Sequence, residues 1–435
     1  MRLTNIVRTD PHLPLALAAV VVLAGEWHQA EAGVKWPLFE AAVFAIAFAF
    51  TWRGRDRLRL APLLLLTLLF ELASIAVHAH VGAHGDADPI IYGRQGRILV
   101  DGRYPSSEYP AGAVGLFGLE TWISGGATRT ANALTMVPFH LLGITALWLF
   151  RTRWSRWVAA FVAMWPLNLF YWEFRFDLVP ATLLTVGLLL AYRERWLWSA
   201  AVLSIGALVK WTPGLAALAL VVWLVGSHRP RLAGRYVVAF VVPIVLTYVP
   251  LLAWSPTEVL HAYSAQGGRN ITGESLPFLV LRVLGQARAG AYSPDPASVA
   301  QWADNAAIAC QALVLLAILA LVARVRDRAA AVALAAILPV AFLLTNRIFS
   351  PQFFVVAVAA WATATALLTL TTRQVIALTA MTGAATIGNA VVWPTLDFLL
   401  TDEPGWIFAS AAALLIGAAV TTCLSAAAAA RQPSG

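Results

Sequence analysis

APLLLLTLLFELASIAVHAH, residues 61–80, is a run of twenty predominantly apolar residues, and its reading decides the class of fold. A helix of that length rises about 1.5 Å per residue and matches the roughly 30 Å hydrocarbon core of a bilayer. A long polar stretch follows at 84–112, HGDADPIIYGRQGRILVDGRYPSSEYPAG. The same alternation of apolar run and polar punctuation recurs in both directions along the chain. Runs at 13–29, 37–53, 61–80, 131–150, 156–172, 178–192 and 197–213 are followed by runs at 215–226, 236–253, 304–323, 329–345, 353–372, 374–393 and 405–428. They predict an all-α, polytopic integral membrane protein of about fourteen transmembrane helices. None alternates at period two, which argues against an outer-membrane barrel.

Composition agrees. The 435 residues are 60% hydrophobic and 12% charged, with a mean hydropathy of +0.75. Soluble domains carry roughly a quarter charged residues, and disorder needs low hydrophobicity with high net charge. The net charge of +8 does not point to nucleic acid, because the basic residues sit between apolar runs rather than on a soluble domain. Cys310 and Cys423 lie inside apolar runs and read as small core residues, with no disulfide or CxxC implied. The N-terminus resembles a signal peptide, but Glu26-Trp27-His28 is a poor cleavage site, so an uncleaved first span is expected.

Arginine sets the expected orientation. Clusters at Arg53 to Arg59, Arg151 to Arg156, Arg193 and Arg195, Arg229 to Arg235 and Arg324 to Arg328 fall in short loops. With Arg2, Arg8, Arg373 and Arg431 they place nineteen of the thirty cations on the cytoplasmic side, with both termini. This holds only if residues 81–130 cross no membrane, so AGAVGLFGLETWI at 111–123 is read as an interfacial helix on the outer face. Two long loops, about 81–130 and 254–303, then face outward. Acidic residues gather on the outer side too, among them Asp86, Asp88, Glu108, Glu173, Asp177, Glu274 and Asp295. Polar function is expected on that extracytoplasmic face of a plasma membrane.

Five groups of residues could carry chemistry. Asp86 and Asp88 follow the span ending at His80, and a carboxylate at the membrane surface can accept a proton from a sugar hydroxyl. Asp88-Pro89 is equally a helix cap with Pro at N1, opening a helix over 89–100. As a metal site the two carboxylates lack a third ligand. Lys210 stands in LVKWTP at an outer span end, where it can hold a phosphate or simply snorkel. Arg347 and Gln352 offer donors from NRIFSPQ, with an interfacial anchor as the plainer reading. His261, Arg269 and Asn270 lie in HAYSAQGGRNITGE. Glu173, Arg175 and Asp177 form the last group, in which Asp177 can be a mere cap for 178–192. Arg175, Lys210, Arg269 and Arg347 depart from the positive-inside trend and have carboxylates nearby. That pattern predicts an anionic ligand held opposite an acidic base.

The order of motifs resembles the GT-C fold glycosyltransferases that use polyprenyl-phosphate sugars. It is most similar to glycosyltransferase family 87, of the alpha-mannosyltransferase type. The stretches that carry the likeness are Asp88-Pro89-Ile90-Ile91-Tyr92, Gly102-Arg103-Tyr104-Pro105, Glu108-Tyr109-Pro110, Lys210-Trp211-Thr212-Pro213 and Arg347-Ile348-Phe349-Ser350-Pro351-Gln352. They span about 61–355, which makes that the expected catalytic module, after two N-terminal helices (1–60) and before C-terminal helices and a tail (356–435). Tyr109-Pro110-Ala111 departs from the usual Tyr-Pro-Pro, and two spans precede the one that normally leads into the catalytic loop. The resemblance implies Asp88 as catalytic base, with Asp86 competing for the role. It implies Lys210, with Arg347, on the lipid phosphate.

The sequence therefore predicts a membrane glycosyltransferase that moves a sugar, mannose by the resemblance, from a polyprenyl-phosphate donor to an envelope glycolipid or glycan. Arg269 and Arg175 are expected beside the phosphate, and Tyr92, Glu108, Tyr109, Asp177, His261, Asn270 and Gln352 around the substrates. No cofactor or metal is expected. Competing classes are a secondary transporter or lipid-linked sugar flippase, and a non-catalytic subunit of an envelope assembly machine.

Overall fold

A computed structural model describes residues 10–32, 37–81, 88–125, 129–165, 175–267, 269, 271–272, 275–287, 297–350 and 352–390. Among these residues there are seventeen α-helices, one 3-10 turn (Arg55–Arg57) and no strand. In chain order they begin with α1 (His12–Ala32), α2 (Pro37–Gly54), α3 (Leu60–Val81), α4 (Asp88–Val100), α5 (Ala111–Ser124) and α6 (Arg129–Leu149). Then come α7 (Ser155–Met164), α8 (Leu178–Tyr192), α9 (Trp196–Val209), α10 (Thr212–Gly226), α11 (Pro230–Trp254) and α12 (Pro256–Gly267). The last are α13 (Leu276–Val283), α14 (Ala297–Arg324), α15 (Arg328–Thr345), α16 (Phe353–Leu367) and α17 (Thr372–Ala390).

Among the described residues five helices are long and apolar enough to cross a membrane, at Leu60–Ala79, Arg129–Leu149, Pro230–Trp254, Gln301–Arg324 and Arg328–Thr345. Six more apolar helices are shorter. The chain is a multi-pass membrane protein. The helices start and stop where backbone chemistry dictates. Proline, which has no N–H to leave unpaired, sits in the first turn of α10, α11 and α13. Asp327 caps α15 by accepting from the Ala330 amide at 2.7 Å. Arg151, Glu194 and His228 adopt positive φ just past α6, α8 and α10 and turn the chain back. Burial sorts the helices by neighbour. α15 is buried along nearly its whole length, whereas α11 buries only Ala233 and Tyr236 and presents a row of valines and leucines outward, as a lipid-facing helix must.

Cross-loop contacts gather the arginine clusters at one end of the bundle. Arg156 donates to the Asp56 carbonyl at 2.6 Å, Arg326 to the Gly226 carbonyl at 2.7 Å, and Arg193 to the Leu149 carbonyl. Arg328 pairs with Glu194, and the Trp154 indole donates to the Leu370 carbonyl at 3.0 Å. α3 starts at this end and α6 finishes there, so α3 ends and α6 begins at the opposite end. Residues 111–123 fall within α5, one helix of fourteen residues (Ala111–Ser124) that packs on α4. The second long loop, read from sequence as 254–303, is instead largely helical among its described residues. α12 and α13 occupy it, and α14 begins seven residues before the expected 304. Pro256 starts α12, and the Ser275 hydroxyl caps α13 by accepting from the Phe278 amide at 3.3 Å. The expected run at 405–428 and the end of the run at 156–172 lie outside the described residues.

One polar feature at mid-depth was not foreseen. Glu71 of α3 and His140 of α6 are hydrogen-bonded to each other inside the bundle, 0% and 2% exposed. The other imidazole nitrogen meets the Val162 carbonyl at 3.2 Å.

Candidate functional site

At the end away from the arginine clusters, close helix contacts set the frame. A Cβ on Gly96 of α4 would stand 2.2 Å from the Phe117 carbonyl oxygen of α5. A Cβ on Gly112 of α5 would stand 2.6 Å from the Leu208 carbonyl carbon at the end of α9. Glycine is thus what lets α4 lie on α5 and α5 lie on the chain just before Lys210. Four aromatic rings fill the space between. Tyr92 stacks on Phe117 with centroids 4.3 Å apart, and Tyr109 and Phe176 close on both edge-on at 5.3–5.6 Å. Burial pushes the Tyr109 phenol above its ordinary pKa, and the neighbouring Glu108 adds to this. Elsewhere on α5, Glu120 is 1% exposed and no group among the described residues bonds its carboxyl oxygens. Loss of hydration raises its pKa to about 7.

Asp88 opens α4, and Tyr92, one turn later, donates to its carboxylate at 3.3 Å. Asp88 is ion-paired with Arg175. Two residues on, Asp177 is 1% exposed and paired with Lys210. Asp177 stands at the N-cap of α8 but makes no side-chain cap bond, so its carboxylate serves the lysine rather than the helix. Lys210 itself sits in extended backbone (φ −157°, ψ 134°) between α9 and α10, where Pro213 forbids a continuous helix. Its ammonium lies 4.0 Å from the Phe353 ring centroid and 5.6 Å from that of Phe176.

From the other side, Arg269 pairs with Glu108, and Gln266 donates to the Glu108 carbonyl at 3.3 Å. Arg347 pairs with Asp304 at 2.5 Å and donates to the Gly267 carbonyl at 3.2 Å. Thr272 ties these segments together. Its amide donates to the Arg347 carbonyl at 3.0 Å, and its hydroxyl donates to the Phe349 carbonyl at 3.2 Å and accepts from the Phe349 amide at 3.0 Å.

These segments enclose a cavity of about 590 Å³. Asp88, Tyr92, Glu108, Tyr109, Arg175, Asp177, Lys210, Arg269, Arg347 and Gln352 all line it, so ten of the candidates read from sequence converge. His261 does not. It lies on α12 with its side chain exposed, one face away from Tyr263 and Gln266, which do line the cavity. Asp86 and Asn270 lie outside the described residues, as do Glu173, Glu274 and Asp295. Sequence reasoning missed Asp304, Gln266 and Tyr263. The Tyr263 ring stacks on Trp211 at 5.4 Å. Asp304 carried one weak signal, a lone acid at the outer start of an apolar run. Among the described residues no three His, Cys, Asp or Glu side chains converge as metal ligands.

The cavity thus holds four cations, each matched to a carboxylate, beside an aromatic floor and at one end of lipid-facing helices. Such a site can take an anion by exchanging carboxylates for it, and can offer a freed carboxylate as a base. A distant likeness of backbone accompanies this geometry. ArnT from Cupriavidus metallidurans, whose crystal structure was solved bound to undecaprenyl phosphate, is similar with a TM-score of 0.45 and 16% identity. The alignment covers 83% of this chain and 76% of that one. No protein-family model and no curated protein matches the sequence.

Proposed function

We propose that this chain is a GT-C type glycosyltransferase that takes a sugar, mannose by the resemblance to family 87, from a polyprenyl-phosphate donor. It passes the sugar to an envelope glycolipid or glycan at the outer face of the plasma membrane. The observation that carries the reading is the convergence of Asp88, Lys210 and three arginines on one cavity at a single end of the bundle. The acceptor hydroxyl attacks the anomeric carbon from the side opposite the phosphate. A carbon–oxygen bond forms to the acceptor as the bond to the phosphate oxygen breaks, and the configuration inverts. Asp88 takes the hydroxyl proton, and polyprenyl phosphate leaves as the anion.

Arg175 is engaged with Asp88 and Lys210 with Asp177. On this reading the donor phosphate draws both cations toward itself, which frees Asp88 to act as base just when substrate is present. Cations placed where charge develops act in a site shielded from water, an effect of several kcal/mol. Tyr92, Glu108, Tyr109 and Gln352 line the sugar and acceptor side. The reaction needs no cofactor. The catalytic module is residues 61–355, and both termini are cytoplasmic.

One observation favours a second reading. The buried Glu71–His140 pair is the kind of ionisable group that marks proton-coupled transporters, so a transporter or lipid-linked sugar flippase is the alternative. Purified protein in detergent separates the two. A glycosyltransferase releases polyprenyl phosphate from polyprenyl-phosphate mannose when extracted envelope lipid is added. A flippase has no compartments to work between in detergent and leaves the donor intact.

A further inference from the structure

A second cavity, of about 690 Å³, lies at the opposite end of the bundle, between the starts of α1, α3 and α7 and the end of α6. Its charge differs in kind from that of the first cavity. Arg57, Arg59 and Arg156 line it. Among the described residues the Arg57 and Arg59 side chains have no ion pair, and Arg156 spends one N–H on the Asp56 carbonyl at 2.6 Å rather than on a carboxylate. Asp10 and Asp56 also line the cavity. Asp10 is occupied by the His12 amide and imidazole, each at 2.9 Å, while the Asp56 side chain is 83% exposed and stands 4.0 Å from Arg55. The guanidinium groups therefore outnumber the carboxylates; Arg59 acts on Asp10 only at a distance, as the last of the influences that hold its carboxyl below the usual range.

The walls are fixed and partly apolar. Pro11, Leu58, Pro62 and Trp148 contribute them, with the Arg156 guanidinium 5.5 Å from the Trp148 ring centroid. The His12 imidazole holds the Arg59 amide at 3.0 Å, and the Thr51 hydroxyl holds the Pro11 carbonyl at 3.1 Å. A rigid recess with guanidinium donors and an indole, at the level where spans leave the bilayer, has the chemistry of a lipid headgroup site. We propose that this recess binds the headgroup of an anionic phospholipid. The phosphodiester pairs with Arg57, Arg59 and Arg156, and the upper acyl chain rests on Pro62 and Trp148. A free phosphate would have no use for the apolar wall.

The test uses the full-length protein in neutral detergent micelles doped with phosphatidylglycerol or phosphatidylcholine, read by native mass spectrometry and by thermal midpoint. Phosphatidylglycerol should remain bound and raise the midpoint, and phosphatidylcholine should not. Each guanidinium near a lipid surface contributes roughly fivefold in affinity, so R57Q/R59Q/R156Q should lose on the order of a hundredfold. R57Q/R59Q keeps the Arg156–Asp56 bond that holds the loops together, and serves if the triple variant does not fold. It should lose roughly twenty-fivefold on the same basis. Equal binding of the two lipids, or unchanged phosphatidylglycerol affinity in R57Q/R59Q, would overturn the proposal. So would full stabilisation by soluble glycerol 3-phosphate, which would show a phosphate site with no lipid character.

Discussion

Asparagine at position 88 keeps the volume of the aspartate and caps a helix about as well, but it cannot accept a proton. Asp88→Asn should therefore leave a folded protein that still binds the lipid donor and has lost turnover by roughly a hundred- to ten-thousand-fold. A product assay with a parallel donor-binding measurement checks both halves. Asp86→Asn is the paired control and should cost far less; the reverse ranking would move the base to Asp86. Lys210 answers a different question. Lys210→Ala removes the partner of a buried carboxylate, Asp177, as well as a counter-charge for the phosphate. Donor use should fall steeply, and Lys210→Arg should recover only part, because a planar fork does not replace a compact ammonium. A donor dependence unchanged in Lys210→Ala would leave the lysine as an anchor. Lys210 and Arg347 were legible because cations at outer span ends break a charge rule. Asp304 was not, because a single acid at the start of a helix looks like any solvated terminus until its partner is known. His261 failed for the opposite reason. It shares a segment with cavity residues, and only the helical period of α12 turns it away.

At the scale of elements, α5 is the piece most exposed to test. It is apolar enough to mimic a span yet lies on α4, with Glu120 buried and its carboxyl oxygens unbonded. The raised pKa of about 7 means that the folded protein prefers this carboxyl protonated. The associated stability is complete below the ordinary glutamate value of about 4.3 and is lost as pH rises through about 7. The full swing is on the order of 3 kcal/mol. The thermal midpoint should fall as pH rises from about 4.3 to about 7 and level off above that, and Glu120→Gln, neutral throughout, should flatten that part of the curve. A parallel decline in the variant would assign the pH dependence elsewhere. Long spans such as α3 and α15 could be read from hydropathy to within a residue or two. α12 and α13 could not, because their short, half-polar sequences have the composition of loops. The Glu71–His140 pair was hidden in the same way, each partner a lone polar residue in an apolar run and the two far apart in sequence.

The whole molecule places arginine loops at one end and the candidate site at the other, and the proposed direction of that axis, arginine loops inward, rests on the positive-inside rule. Single cysteines at 88 and 270 should label from outside intact cells, and cysteines at 55 and 326 only after permeabilisation, in a background lacking Cys310 and Cys423. Labelling at 326 but not at 88 would invert the model.

The matched charges of the first cavity have a kinetic consequence. With four cations against four carboxylates, Asp304 included, the described site has no net formal charge and casts little field beyond the surface. A donor cannot be drawn in from bulk water; it arrives sideways, by diffusion in the plane of the leaflet. Encounter frequency then follows the mole fraction of donor per unit area of membrane. On the proposed function, diluting the donor with inert lipid should slow turnover, whereas diluting the vesicles in buffer should not. Ionic strength, which governs steered association elsewhere, leaves the rate nearly flat.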